Sequence, residues 1–126
     1  MRAIVQNVYG DSDVLGLRDI PKPVPGSGEV LIGVRAAGVD QGVWHLMTGR
    51  PYLVRLLGYG LRRPKVPVRG REVAGVVESV GAGVTRFQPG DEVFGTCEGS
   101  FAEYVCAKES LLARKPVNLT FEETAA

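Results

Sequence analysis

The 126-residue sequence predicts a mainly β fold, a mostly antiparallel barrel or sandwich. Two observations predict it. Valine- and isoleucine-rich runs of strand length recur along the chain. Between them, 17 glycines and 8 prolines make turn-forming residues about twice as frequent as in average usage. Short apolar runs with so much turn chemistry between them fit many short strands. No internal repeat or low-complexity tract interrupts the pattern.

The candidate strands are residues 3–8, 14–20, 29–37, 73–80, 92–95 and 101–107. Two turns are explicit: Pro25 Gly26 Ser27 Gly28 ahead of the third strand, and Pro89 Gly90 Asp91 ahead of the fifth. Residues 41–49 break the alternation, because Val43, Trp44, Leu46 and Met47 crowd together. With Asp40 as N-cap and Gly49 as a stop, a short helix is expected there. From Gln41 to Arg71 no acidic residue occurs, while Arg50, Arg55, Arg62, Arg63, Lys65, Arg69 and Arg71 supply seven positive charges. Thr120 Phe121 Glu122 Glu123 has the spacing of a capping box, so a helix should begin at that point. The sequence stops at Ala126, well short of the roughly 12 to 15 residues that an isolated helix needs. It therefore reads as a domain cut at the entry to a further helix.

Composition excludes several function classes. Fifteen Lys+Arg against 14 Asp+Glu give a net charge of +1, which provides no global attraction to nucleic acid or to acidic lipid. No apolar stretch approaches the roughly 18 residues of a membrane span, and the N-terminus lacks the apolar core of a signal peptide. A cytoplasmic setting without stable membrane insertion is the expectation. Cys97 and Cys106 cannot build a disulfide framework or a four-cysteine zinc lobe, and they read as small buried hydrophobes.

The strongest motif is Gly70 Arg71 Glu72 Val73 Ala74 Gly75 Val76 Val77 Glu78 Ser79 Val80 Gly81 Ala82 Gly83 Val84, followed by Gly90 Asp91 Glu92 Val93. Ala36 Ala37 Gly38 Val39 precedes it, and Gly99 Ser100 Phe101 Ala102 Glu103 Tyr104 follows. In this order and spacing the chain resembles the medium-chain dehydrogenase/reductase superfamily along essentially its whole length. The resemblance implies a GroES-like, partly open β-barrel with short helices, spanning residues 1–126. It is the N-terminal catalytic domain of a two-domain oxidoreductase whose second domain is a Rossmann nucleotide binder. That second domain is not in this sequence. No glycine-rich dinucleotide fingerprint appears, since Gly81 Ala82 Gly83 lies in a turn between strands. Alone, the domain is expected to be inactive.

Zinc alcohol dehydrogenases of the superfamily carry a cysteine ligand just after the Ala-Ala-Gly-Val stretch and a histidine ligand between the glycine and glutamate of the later motif. Asp40 and Arg71 stand at those positions. A guanidinium has no free lone pair at neutral pH and repels the ion. By that departure the chain resembles the zinc-independent quinone oxidoreductase and enoyl reductase branch. That branch reduces quinones or activated C=C bonds with NADPH or NADH, the cofactor being held mainly by the Rossmann domain. A small quinone or enone is then the substrate, and a homodimer is one assembly open to the parent protein.

The candidate site residues follow from the resemblance. Asp40 is a catalytic candidate by its match to the metal-binding cysteine, although an ordinary helix cap needs no such role. His45, the only histidine, matches a proton-relay position, and imidazole titrates near neutrality. The relay's neighbouring hydroxyl is replaced by Gly42, and a packing role is equally open. Trp44 and Tyr52 can wall a flat substrate or fill the core. Gln41 matches a position that contacts cofactor phosphate. Arg71 can pair with Glu72 or attract an anionic group. Two readings compete with the enzyme: a non-catalytic GroES-like binding or regulatory module, and a membrane-surface or partner-binding segment at residues 53–63, where apolar and basic residues mix.

Overall fold

A computed structural model describes residues 1–5, 10, 15–39 and 68–125. Strands β1 (Arg2–Val5) and β2 (Gly16–Asp19) form an antiparallel ribbon in which Arg2 faces Asp19 and Val5 faces Gly16. The main sheet contains β3 (Glu29–Gly38), β4 (Glu72–Val80), β5 (Glu92–Thr96), β6 (Tyr104–Lys108) and β7 (Leu112–Arg114). Its spatial order is β6-β3-β4-β5-β7, and every pairing is antiparallel. The one α-helix among the described residues, α1 (Phe121–Ala125), packs on β3 and β4, and a 3-10 turn at Glu109–Leu111 joins β6 to β7.

Alternation of valine with small or polar residues gives each strand one core face. Val30 and Ile32 of β3, Val73 and Val77 of β4, Val93 of β5, Val105 and Ala107 of β6 and Leu112 of β7 meet there, with Phe87 and Cys97 closing the cluster. The β3–β4 register shifts twice, between Leu31 and Ile32 and between Val34 and Ala36. Such bulges bend and twist a ladder, so the sheet curls around its core. It does not close, because the edge strands β6 and β7 pair with β3 and β5 and not with each other. The expected partly open β-barrel is the architecture found.

Sequence expectation and structure differ at several edges. β6 begins at Tyr104 rather than at residue 101, because Phe101 and Ala102 turn towards β1: Ala102 bridges Ala3, and the Phe101 carbonyl accepts the Ile4 N–H at 2.8 Å. β7 is additional; three residues alternate too briefly to be read, and it exists through its ladder with Val93, Phe94 and Gly95. The capping box forms as expected. The Thr120 N–H donates to Glu123 Oε1 at 3.0 Å, and the Glu123 N–H donates to Thr120 Oγ1 at 3.1 Å. These bonds hold the Glu123 carboxyl below its ordinary range. Lys115 adds to this corner, its ammonium donating to the Leu119 carbonyl at 2.6 Å. The helix expected over residues 41–49 lies outside the described residues.

One end of the barrel is a bed of cross-linked turns. The Glu29 N–H donates to the Gly26 carbonyl, while Glu29 Oε1 accepts the Gly26 N–H at 2.8 Å. The neighbouring 81–83 turn is bonded to it, Gly28 N–H to Ala82 carbonyl at 2.9 Å and Gly81 N–H to Glu29 carbonyl at 2.8 Å. At the 88–91 turn, Asp91 Oδ2 accepts the Gln88 N–H at 3.0 Å.

Candidate functional site

The opposite end is built from two non-consecutive segments, residues 68–71 ahead of β4 and residues 97–101 after β5. Backbone bonds lace them together. The Cys97 N–H donates to the Arg71 carbonyl at 2.8 Å, Gly99 N–H to the Gly70 carbonyl at 2.9 Å, and Phe101 N–H to the Arg69 carbonyl at 2.8 Å. β1 secures the pair from outside through the Val5–Val68 bridge and an Arg69 N–H to Ile4 carbonyl bond at 3.3 Å. Close approach requires glycine at the centre: Gly70 has φ +101°, and a Cβ there would press on the Ser100 hydroxyl and on the ring and amide of Phe101.

A cavity of about 380 Å³ opens beside this rim. The rim supplies Arg69, Arg71, Cys97 and Glu98, while Cys106 and Lys108 of β6 line another side. Arg69 is buried and has an interaction partner. Arg71 is exposed, and no ion pair among the described residues involves it. A pair with Glu72, one of the two readings open in the sequence, is not among the ion pairs of the described residues. Ser100 is buried beneath Gly70, and its hydroxyl has no hydrogen-bond partner among the described residues.

The two thiols differ. Cys97 belongs to the core, and burial, helped by the Glu98 charge, pushes its thiol up to about 12. Cys106 is half-buried outside the core cluster; burial, then the Glu29 charge, pushes its thiol up. Both therefore stay protonated at neutral pH and are poor nucleophiles. Cys97 fits the expectation of a buried hydrophobe, and Cys106 fits it only in part.

Of the candidate catalytic, substrate-binding and cofactor-binding residues, Arg71 alone is among the described residues. Asp40, Gln41, Trp44, His45 and Tyr52 lie outside the described residues, as does the 53–63 segment. Among the described residues no group of three or more His, Cys, Asp or Glu side chains could hold a metal ion, and no helix is long and apolar enough to cross a membrane. The residues that sequence reasoning missed are Glu98, Cys106 and Lys108 as cavity lining. No local pattern marks them, because pairing across the barrel brings them to the cavity.

Residues 26–117 match the alcohol dehydrogenase GroES-like domain. The chain belongs to that family. Within the medium-chain dehydrogenase/reductase superfamily, its relatives are quinone oxidoreductases and enoyl reductases. It is 36% identical to a quinone oxidoreductase of Lama guanicoe, covering 100% of this chain and 37% of that protein. A trans-enoyl reductase of Fusarium mangiferae is 34% identical, with 100% of this chain and 30% of that protein covered. A mycobacterial protein solved in complex with NADPH superposes with a TM-score of 0.85 at 36% identity, covering 99% of this chain and 37% of that one. The GroES-like domain thus spans about a third of the length of the proteins it matches.

Proposed function

We propose that this GroES-like domain is the substrate side of a longer, zinc-independent NAD(P)H-dependent oxidoreductase that reduces quinones or the activated C=C bonds of enones, in a cytoplasmic setting. The observation that carries this reading is the match over the whole chain to a quinone oxidoreductase and a trans-enoyl reductase. The relative solved with NADPH favours that cofactor.

The described residues do not fit a dinucleotide site. The one glycine-rich turn that resembles a fingerprint, at residues 81–83, spends its backbone groups on Glu29 and Gly28 and leads to no helix. In this reading the cofactor is held mainly by residues of a Rossmann domain outside this sequence, with Gln41 reaching its phosphate. The donor set does not fit zinc either. Arg71, at the position that the zinc enzymes give to a histidine ligand, offers hydrogen-bond donors and a fixed positive charge.

When bound, the reduced nicotinamide supplies hydride to an electron-poor carbon. The residues of this chain then have two tasks: to bind a flat acceptor, and to meet the negative charge that grows on its carbonyl oxygen. Trp44 and Tyr52 are proposed as the apolar wall and Arg71 as a polar contact at the cavity rim. His45 is the proposed proton donor to the reduced product, and Asp40 is the second catalytic candidate.

The test uses the full-length parent with a panel of quinones and enones, followed by loss of NADPH absorbance. Oxidation of NADPH that depends on a quinone or enone is the expected result. No turnover anywhere in the panel contradicts the enzyme and favours a binding module.

A further inference from the structure

The geometry points to a substrate that carries an anionic group, a carboxylate or phosphate attached to the enone or quinone, with Arg71 as the residue that selects it. This rests on the reductase reading and goes beyond it by naming the charge of the substrate.

The inference starts from what surrounds Arg71. Its backbone is fixed, because its carbonyl accepts the Cys97 N–H and the preceding Gly70 carbonyl accepts the N–H groups of Gly99 and Ser100. Arg71 lines the 380 Å³ cavity, is exposed, and makes no ion pair among the described residues. Among the described residues, three cations line that cavity, Arg69, Arg71 and Lys108, against the carboxylates Glu29 and Glu98. Three cationic side chains against two carboxylates leave the described lining net positive, and Glu29 Oε1 is also engaged by the Gly26 amide in the turn. The remaining walls are weakly polar at neutral pH, since burial keeps the Cys97 and Cys106 thiols protonated. A guanidinium on a rigid backbone, beside a partly enclosed space and without an ion-pair partner among the described residues, can hold two oxygens of one anion with its parallel N–H groups. A neutral acceptor leaves those donors to water.

The test compares two enones of nearly equal shape, 4-oxo-2-pentenoate and its methyl ester, as substrates of the full-length parent with NADPH. The wild type is expected to prefer the acid in kcat/KM by about tenfold to a hundredfold, the range of a charge-assisted hydrogen-bonded contact. Arg71→Gln should bring the acid-to-ester ratio close to one, Arg71→Lys should retain part of the preference, and Arg71→Glu should invert it. A wild-type ratio near one, or a ratio unchanged in Arg71→Gln, overturns the assignment. If neither compound is turned over, the panel of quinones and enones decides the reductase reading separately, and titration of the acid and the ester against the full-length protein decides the anion site. Acid binding lost in Arg71→Gln upholds it, and equal binding of the two compounds overturns it.

Discussion

The two ends of the barrel are built from similar residues and do different things. At the turn end, residues 26–29 and 81–83 bond to each other, and residues 88–91 bond within their turn and to Val77, so polar chemistry there is used in holding the strands. At the rim end, residues 69–71 and 97–101 are also laced by backbone bonds, yet the Arg71 side chain is left outside the lacing, beside a cavity. One glycine-rich end is a brace, and the other is a platform. The number of hydrogen bonds does not separate the two; whether charged side chains remain available to a ligand does.

The sharpest way to test this difference is a glycine substitution at each end. Gly70→Ala forces a Cβ against the Ser100 hydroxyl and Phe101 at φ +101°. Overpacking and left-handed strain together predict a loss of about 3 kcal/mol, read as a lower urea midpoint. Gly83→Ala, at φ +81° with open space around the added methyl, should cost only about 1 kcal/mol of strain. Equal losses at the two sites would remove the distinction between platform and brace.

A smaller effect comes from the core thiol next to the rim. The Cys97 pKa is about 12 in the fold against an ordinary 9.0, so the native state holds this proton more tightly than the unfolded chain. Stability from this group is therefore complete below about pH 9 and falls as pH rises towards 12. Unfolding at about pH 10 should show a loss of about 1 kcal/mol relative to about pH 8. The Cys97→Ala variant should lack that part of the pH dependence.

At α1, away from both ends, Thr120→Ala removes a reciprocal cap and should cost about 1 kcal/mol. The smallest effect is expected in acid. Glu123 has its carboxyl lowered from 4.5, so its contribution is present above that pH and is lost as pH falls through the lower native value. Glu123→Gln should flatten that acid limb in a pH series of unfolding midpoints.

Much of the fold was legible in the sequence because strand alternation, turn residues and the capping box are local signals. Residues 29–37 and 73–80 anticipated β3 and β4 within a residue at each end, and Thr120 with Glu123 marked the start of α1. The end of β1 ribbon contacts and the whole of β7 were not legible, since both depend on partners distant in sequence: Ala102 for Ala3, and Val93 for Arg114. The site was legible only through the family resemblance. Arg71 drew notice because it replaces a metal ligand, whereas Cys106 and Lys108 reach the same cavity through β6 pairing with β3, which no spacing in the sequence encodes.

The central claim is reduction without a catalytic metal, and the most direct measurement is NADPH oxidation by the full-length parent after exhaustive chelation, with a quinone and an enone as acceptors. The account predicts that turnover survives chelation and is not raised by added zinc. Activity that vanishes with the metal and returns when zinc is restored would contradict it.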